Sequence, residues 1–233
     1  MRNAIAIIPA RGGSKRIPRK NIKLFHGKPL IAYSIEIALS CGLFSKVIVS
    51  TEDAEIAKIA KEYGAEVPFM RSSELADDLS SSGDVVTDAI KKLQEMGEKF
   101  EYVCTLYATA PFLKEKYLKE GFEKLKKSNA RLAFSVTSMP FPIQRTFKLT
   151  EDGRCKMFTP EYFSSRSQDL EEAYQDAGQF YWEIVDKKLR DIPFGSDSIP
   201  IILPRHLVQD IDTPEDWKRA ELAYAVLQKK MEC

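Results

Sequence analysis

Residues 11–20 carry five cations, Arg11, Lys15, Arg16, Arg19 and Lys20, in the run Pro9-Ala-Arg-Gly-Gly-Ser-Lys-Arg-Ile-Pro-Arg-Lys-Asn21. The first acidic residue of the chain is Glu36. Gly12 and Gly13 let the backbone approach a ligand closely and adopt positive φ, so that amide N–H groups converge on an anion. Arginine forks and a lysine point charge together suit a polyphosphate. The run is neither G-x-x-x-x-G-K-[ST] nor G-x-G-x-x-G. Alone, a short basic stretch reads more readily as a solvated arm or a nucleic-acid contact. Its place directly after an apolar strand, with paired glycines, reverses that preference, because open parallel sheets bind ligands beyond the carboxyl ends of their strands.

A second constellation lies near the other end, in Val208-Gln-Asp-Ile-Asp-Thr-Pro-Glu-Asp-Trp217. Asp210 and Asp212 are two apart, so in extended chain both carboxylates face one side. Two hard oxygen donors suit Mg²⁺, which takes one or two carboxylates and fills its remaining positions with water and phosphate. An equal reading is helix-start chemistry, since Asp near an N-terminus is stabilised by the helix dipole. Both hold together if Asp216 is structural while Asp210 and Asp212 face a metal.

These groups need a scaffold, and the pattern supplies one. Apolar, β-branched runs alternate with amphipathic stretches. Strands are predicted at 4–8, 46–50, 67–70, 102–106, 132–137, 179–185 and 199–203, and helices at 30–39, 54–63, 84–96, 115–127 and 214–229. Gly64 and Gly97 are placed as helix stops, with Thr213 as an N-cap ahead of Pro214. The alternation predicts an α/β chain with a mostly parallel sheet covered by helices on both faces. Between Ser138 and Gly178 it breaks into proline-punctuated, aromatic-rich pieces, an excursion from a single domain spanning 1–233. Phe180, Tyr181 and Trp182 are expected in the core or an interface.

With 44% apolar residues and 30% charged residues cancelling to +1, the chain has the composition of a folded soluble domain. It lacks the broad positive charge of a polyanion binder, so no nucleic-acid partner is expected. Cys41, Cys104, Cys155 and Cys233 are scattered, which points to a reducing cytoplasm. No apolar run approaches membrane-spanning length, and the N-terminal apolar stretch is too short for a signal peptide.

At the glycine loop a family becomes visible. I-P-A-R-G-G-S-K-x-I-P-x-K-N resembles the signature of the CMP-sialic acid synthetase family, cytidylyltransferases for sialic, legionaminic and pseudaminic acids. Gly27-Lys-Pro-Leu-Ile31, Val47-Ile-Val-Ser-Thr-Glu-Asp53 and Arg71-Ser-Ser-Glu-Leu-Ala76 resemble later blocks. The resemblance implies a three-layer α/β/α, Rossmann-like nucleotidyltransferase fold and transfer of CMP from CTP to an acidic nine-carbon sugar, with Mg²⁺. It implies that Arg11, Lys15 and Lys20 handle the phosphates, that Gly12, Gly13 and Ser14 supply loop backbone contacts, and that Asn21 and Arg71 hold the cytidine. Arg11, Lys20, Asp210 and Asp212 form the implied catalytic set. It further implies a homodimer in which the excursion caps the partner's site, with Arg145 or Arg166 meeting the sugar carboxylate.

Two departures bear on the sugar. Sialic acid enzymes resemble L-Q-P-T-S-P-L where this chain has Leu106-Tyr-Ala-Thr-Ala-Pro-Phe112, so Tyr107 replaces an amide that both donates and accepts. Tyr174-Gln-Asp-Ala-Gly-Gln-Phe-Tyr-Trp182 resembles the pseudaminic acid branch, and makes Gln175, Asp176 and Gln179 candidate sugar contacts. A sialic or legionaminic acid synthetase is the alternative within the family. An RNA-binding protein and a catalytically dead nucleotide sensor are the rivals outside it. The sequence shows no evident general base, and His26 and His206 lie in no catalytic motif.

Overall fold

The computed structural model describes residues 3–75, 80–187 and 194–231. In chain order the elements are β1 (Ala4–Pro9), β2 (Leu24–Phe25), β3 (Lys28–Pro29), α1 (Leu30–Ser40), β4 (Lys46–Ser50), α2 (Ala54–Glu62), α3 (Ser82–Glu95), β5 (Tyr102–Leu106), α4 (Glu115–Lys126), β6 (Leu132–Ser138), β7 (Phe147–Leu149), β8 (Cys155–Met157), β9 (Tyr174–Ile184), β10 (Ser198–Ile202) and α5 (Pro214–Met231). Six strands form one sheet in the order β10-β6-β9-β5-β1-β4. β1 pairs in parallel with β4 and β5, and β10 with β6, whereas β9 runs antiparallel to both its neighbours.

The two faces of the sheet follow from alternation along β1. Ala4, Ala6 and Ile8 pack with Val47, Val49, Cys104, Phe180 and Trp182 beneath α1, α2, α4 and α5. Ile5 and Ile7 point the other way, with Ile48 and Val103, onto Val86, Ala89 and Leu93 of α3. A strand apolar on both faces is what a helix-covered parallel sheet requires. Further along, Leu132, Phe134 and Val136 of β6 make a smaller cluster with Tyr181.

α4 lies close to β9 because Gly121 has no side chain. A Cβ there would stand 3.0 Å from both Phe180 Cε2 and Trp182 Cδ1. Both rings are fully buried, and the Trp182 indole N–H donates to the Leu118 carbonyl at 3.1 Å, so neither can yield. Gly121→Ala would gain about 1 kcal/mol of helix propensity. Overpacking costs about 1–3 kcal/mol. Calorimetry is expected to show a lower Tm, by roughly 2–4 °C for each kcal/mol of net loss. An unchanged or higher Tm would mean that α4 moves away without penalty.

Some boundaries moved, each for a local reason. Residues 67–70 form no strand: Glu66 alone bridges Ile48, and Pro68 has no N–H to continue a ladder. α3 starts two residues early, because Ser81 caps it and trades hydrogen bonds with Asp84. The strand expected at 179–185 begins at Tyr174, inside the excursion, where its first residues pair with Val136–Ser138. The register slips between Phe134 and Val136, and there the Ser135 hydroxyl accepts the N–H groups of Gln179 and Phe180, each at 3.2 Å. Before β9 the excursion holds only short 3₁₀ turns and the β7–β8 hairpin. Gly64 and Gly97 take φ of +92° and +87°, as helix stops do. Cys41, Cys104 and Cys155 are free thiols, and Cys233 and Ala76 lie outside the described residues. Among the described residues no helix is long and apolar enough to cross a membrane.

Candidate active site

The carboxyl ends of β1 and β5, Arg71 and the stretch after β10 surround a cleft of about 340 Å³. Its wall includes Arg11, Ser14, Lys15, Arg16, Lys20 and Asn21 from the basic loop and Asp210 and Asp212 from the far end of the chain. Arg71, Tyr107, Ala108, Thr109, Ser80 and Ser82 also line it. The two constellations therefore meet in space. Lys20 Nζ lies 3.1 Å from Asp212 Oδ1 and 2.6 Å from the Ile211 carbonyl oxygen to which it donates. Arg16 holds the other oxygen of the Asp212 carboxylate at 2.7 Å.

The loop is built on contacts with the acidic residues after β4. Ala10 N–H continues the β1–β4 ladder to Ser50. A Cβ on Gly12 would collide with the Asp53 carboxylate, so only glycine fits. The Gly12 N–H donates to Glu52 at 2.7 Å, and the Ser14 N–H donates to the Gly12 carbonyl at 3.0 Å. Gly12 thus shapes the loop from behind; neither it nor Gly13 takes the positive φ expected of them, and neither lines the cleft. The Asn21 amide donates to the Arg11 carbonyl at 2.9 Å and fixes the loop's far side.

Of the five loop cations, Arg19 is the one that does not line the cleft. Its backbone is left-handed, at φ 57°, and turns the guanidinium away from the cleft onto Asp53 and Glu55. Arg19 holds the Asp53 carboxyl down to about 2, aided by the α2 N–H groups that this N-cap accepts. Across the cleft the sign is opposite. Partial desolvation in the cleft wall, and then the neighbouring Asp212, push Asp210 above the usual carboxylate range, while Lys20 pulls it back. Asp216 lies lower than an ordinary carboxyl because Thr213 donates to it from both hydroxyl and N–H, the latter at 2.8 Å. It is the structural partner of the α5 start, separate from the pair that faces the cleft.

The predicted sugar contacts divide. Tyr107 reaches the cleft, and its ring packs on Tyr181 with centroids 5.4 Å apart. The Tyr181 hydroxyl donates to Asp176, which also accepts the Gly178 N–H at 2.9 Å. Tyr107, Tyr181 and Asp176 form one wall of a second groove that adjoins the cleft at Tyr107 and Ser82. Gln179 is instead buried, and its amide donates inward to the Leu207 carbonyl at 2.5 Å. It braces the stretch that leads to Asp210. Gln175 and Arg145 are exposed and line neither space within the chain.

Three contributors carried no chemical signal in the sequence. Ser80 and Ser82 flank the Ser81 cap of α3 and line the cleft. Glu52 stood in the Val47–Asp53 block without an evident task, yet it bonds both Gly12 and Arg71.

A basic loop beyond a parallel strand, facing a carboxylate pair, is what nucleotide transfer requires, and the sequence comparisons decide the family. The cytidylyltransferase family matches residues 5–175. This chain belongs to the cytidylyltransferase family. It is 48% identical over 223 residues to the pseudaminic acid cytidylyltransferase of Campylobacter jejuni, covering 95% of this chain and 96% of that protein. It is 35% identical over 225 residues to the CMP-N,N'-diacetyllegionaminic acid synthase of Legionella pneumophila, covering 93% and 94%. In fold, this cytidylyltransferase resembles a CMP:2-keto-3-deoxy-manno-octonic acid synthetase complexed with CTP, with a TM-score of 0.70 and 16% identity over 95% of this chain and 98% of that one. The three-layer nucleotidyltransferase architecture is thus confirmed.

Proposed function

We propose that this cytidylyltransferase transfers CMP from CTP to the anomeric hydroxyl of pseudaminic acid, releasing pyrophosphate in the cytoplasm. One observation carries the reading: the cationic loop and Asp210–Asp212 share a single cleft. The hydroxyl oxygen bonds the α-phosphorus, the bridge to the β-phosphate breaks, and the hydroxyl proton is lost to the acidic wall. Arg11, Lys15 and Lys20 stabilise the charge that grows on pyrophosphate, so the rate comes from positioning and fixed charge. Ser14, Asn21 and Arg71 line the same cleft and hold the rest of the nucleotide.

Asp210 and Asp212 fit a magnesium ion as a two-carboxylate set. Among the described residues no third acidic, histidine or cysteine ligand joins them. That leaves the remaining positions to water and phosphate, as Mg²⁺ prefers. When bound, the ion supplies charge neutralisation at the α-phosphate. Arg16, Lys20 and Arg19 are already paired with carboxylates, which favours a compact triphosphate over a long polyanion.

The sugar assignment is supported by the Tyr107–Tyr181–Asp176 wall and by the higher identity to the pseudaminic acid enzyme than to the legionaminic acid one. A homodimer is supported by the excursion, where Phe141, Phe147, Leu149, Phe158 and Phe163 are each more than half exposed. Gln175 and Arg145 lie on or beside that surface and act there, Arg145 toward the partner's sugar. A solution mass of one chain would remove this part. Pyrophosphate release from CTP, measured across a panel of nonulosonic acids with and without magnesium, tests the whole. Pseudaminic acid is expected to give the highest kcat/KM, and a higher value for legionaminic or sialic acid would overturn the sugar assignment.

A further inference from the structure

Glu52 does not line the cleft, yet two of the cleft's working parts hang on its carboxylate. One oxygen accepts the Gly12 N–H at 2.7 Å, on the loop side. The other accepts the Arg71 guanidinium, on the opposite side. The Arg71 side chain is only 3% exposed, and its Nε is buried without a partner. Its backbone N–H donates to the Thr51 carbonyl at 2.9 Å, so the residue before Glu52 holds the same arginine. A cation this deeply buried needs a counter-charge, and Glu52 is the carboxylate that pairs with it among the described residues.

We propose that Glu52 is a positioning residue for CTP: it fixes the loop and Arg71 at one separation, so that the triphosphate side and the Arg71 side of the cleft engage one nucleotide together. Glu52 touches no substrate and acts through Gly12 and Arg71. The inference rests on the cleft being the CTP site.

Chemistry makes Glu52→Gln the sharp test. The amide keeps the side chain's shape and offers one oxygen acceptor. Its NH₂ group faces a second donor, either the Gly12 N–H or the Arg71 guanidinium, and one of the two bonds must be lost. CTP binding is measured by calorimetry on the full chain for the unsubstituted protein, Glu52→Gln, Arg71→Ala and the double variant. Glu52→Gln is expected to weaken CTP binding about 10- to 100-fold, the scale of one lost charged hydrogen bond. In turnover the loss is expected in KM for CTP, with kcat changed less than about threefold. Against an Arg71→Ala background the same change is expected to cost less than about threefold, because contacts that act through one another are not additive. A CTP affinity within about twofold of the unsubstituted protein, or a full independent loss in the double variant, would overturn the proposal. A loss of CTP affinity matched by an equal fall in Tm in both backgrounds would also overturn it, as the mark of packing alone. No CTP binding by the unsubstituted chain would overturn the cleft assignment itself, and this inference with it.

Discussion

Lys20→Ala is expected to lower kcat/KM for CTP by about 10²- to 10³-fold, the loss seen when one donor to developing charge is removed. The size follows from where Lys20 sits. Its side chain is 18% exposed, and Nζ touches both the Asp212 carboxylate and the Ile211 carbonyl. It is thus the cation that ties the loop to the acidic wall from within. Arg16 makes a similar contact with Asp212, but its side chain is 64% exposed. Solvent screens an exposed pair strongly, so Arg16 cannot replace Lys20. Lys20→Arg is expected to recover part of the activity, since the charge returns while the planar fork cannot reproduce the lysine's contacts. Steady-state kinetics with varied CTP measures this. A loss below about tenfold would show that the phosphates are held elsewhere.

Asp210→Asn is expected to cost about as much in turnover, about 10²- to 10³-fold, if that carboxylate holds the ion that neutralises the α-phosphate. Its effect on folding should run the other way. In the folded chain Asp210 sits in the cleft wall, partly desolvated and next to the like charge of Asp212, and its carboxyl lies above the ordinary range. A carboxyl raised by folding opposes the fold once the pH exceeds both its folded and unfolded values. Neutralising it therefore leaves the melting temperature at neutral pH unchanged or higher. Magnesium titrations are expected to show a weakened requirement curve, displaced to higher ion concentration. Chelation with EDTA should abolish turnover of the unsubstituted enzyme. Full activity of Asp210→Asn, or activity indifferent to EDTA, would remove the metal from the proposal.

The parts of this molecule that could be read from the sequence are those written in local chemistry. The glycine loop after β1 and the Asp210–Asp212 couple announce themselves by residue type and spacing. The cleft that joins them could not be seen, because Lys20 and Asp212 lie 192 positions apart in the chain. Apolar alternation located β9 but not its direction, since a period of two is the same read either way. It also could not show that the strand reaches back to Tyr174, where pairing with β6 overrides the polar character of Gln175 and Asp176. Arg19 looked like its neighbours, and only its left-handed backbone sends it to Asp53 rather than into the cleft. Gln179 looked like a sugar ligand because amides recognise hydroxyls, and the fold uses it inside instead.

The place of β9 sets the order in which this protein can be completed. It is third from one edge of the sheet, yet among the described residues it is the ninth of ten strands to leave the ribosome. Until residues 174–184 emerge, β5 and β6 have unsatisfied edges facing a gap, and half of the sheet cannot close. Such a chain must wait for a distant segment before its centre exists, which slows folding and prolongs the interval in which open strand edges invite association. The arm that precedes β9 is meanwhile free to lengthen or shorten at little entropic cost, because both of its ends are pinned to adjacent strands.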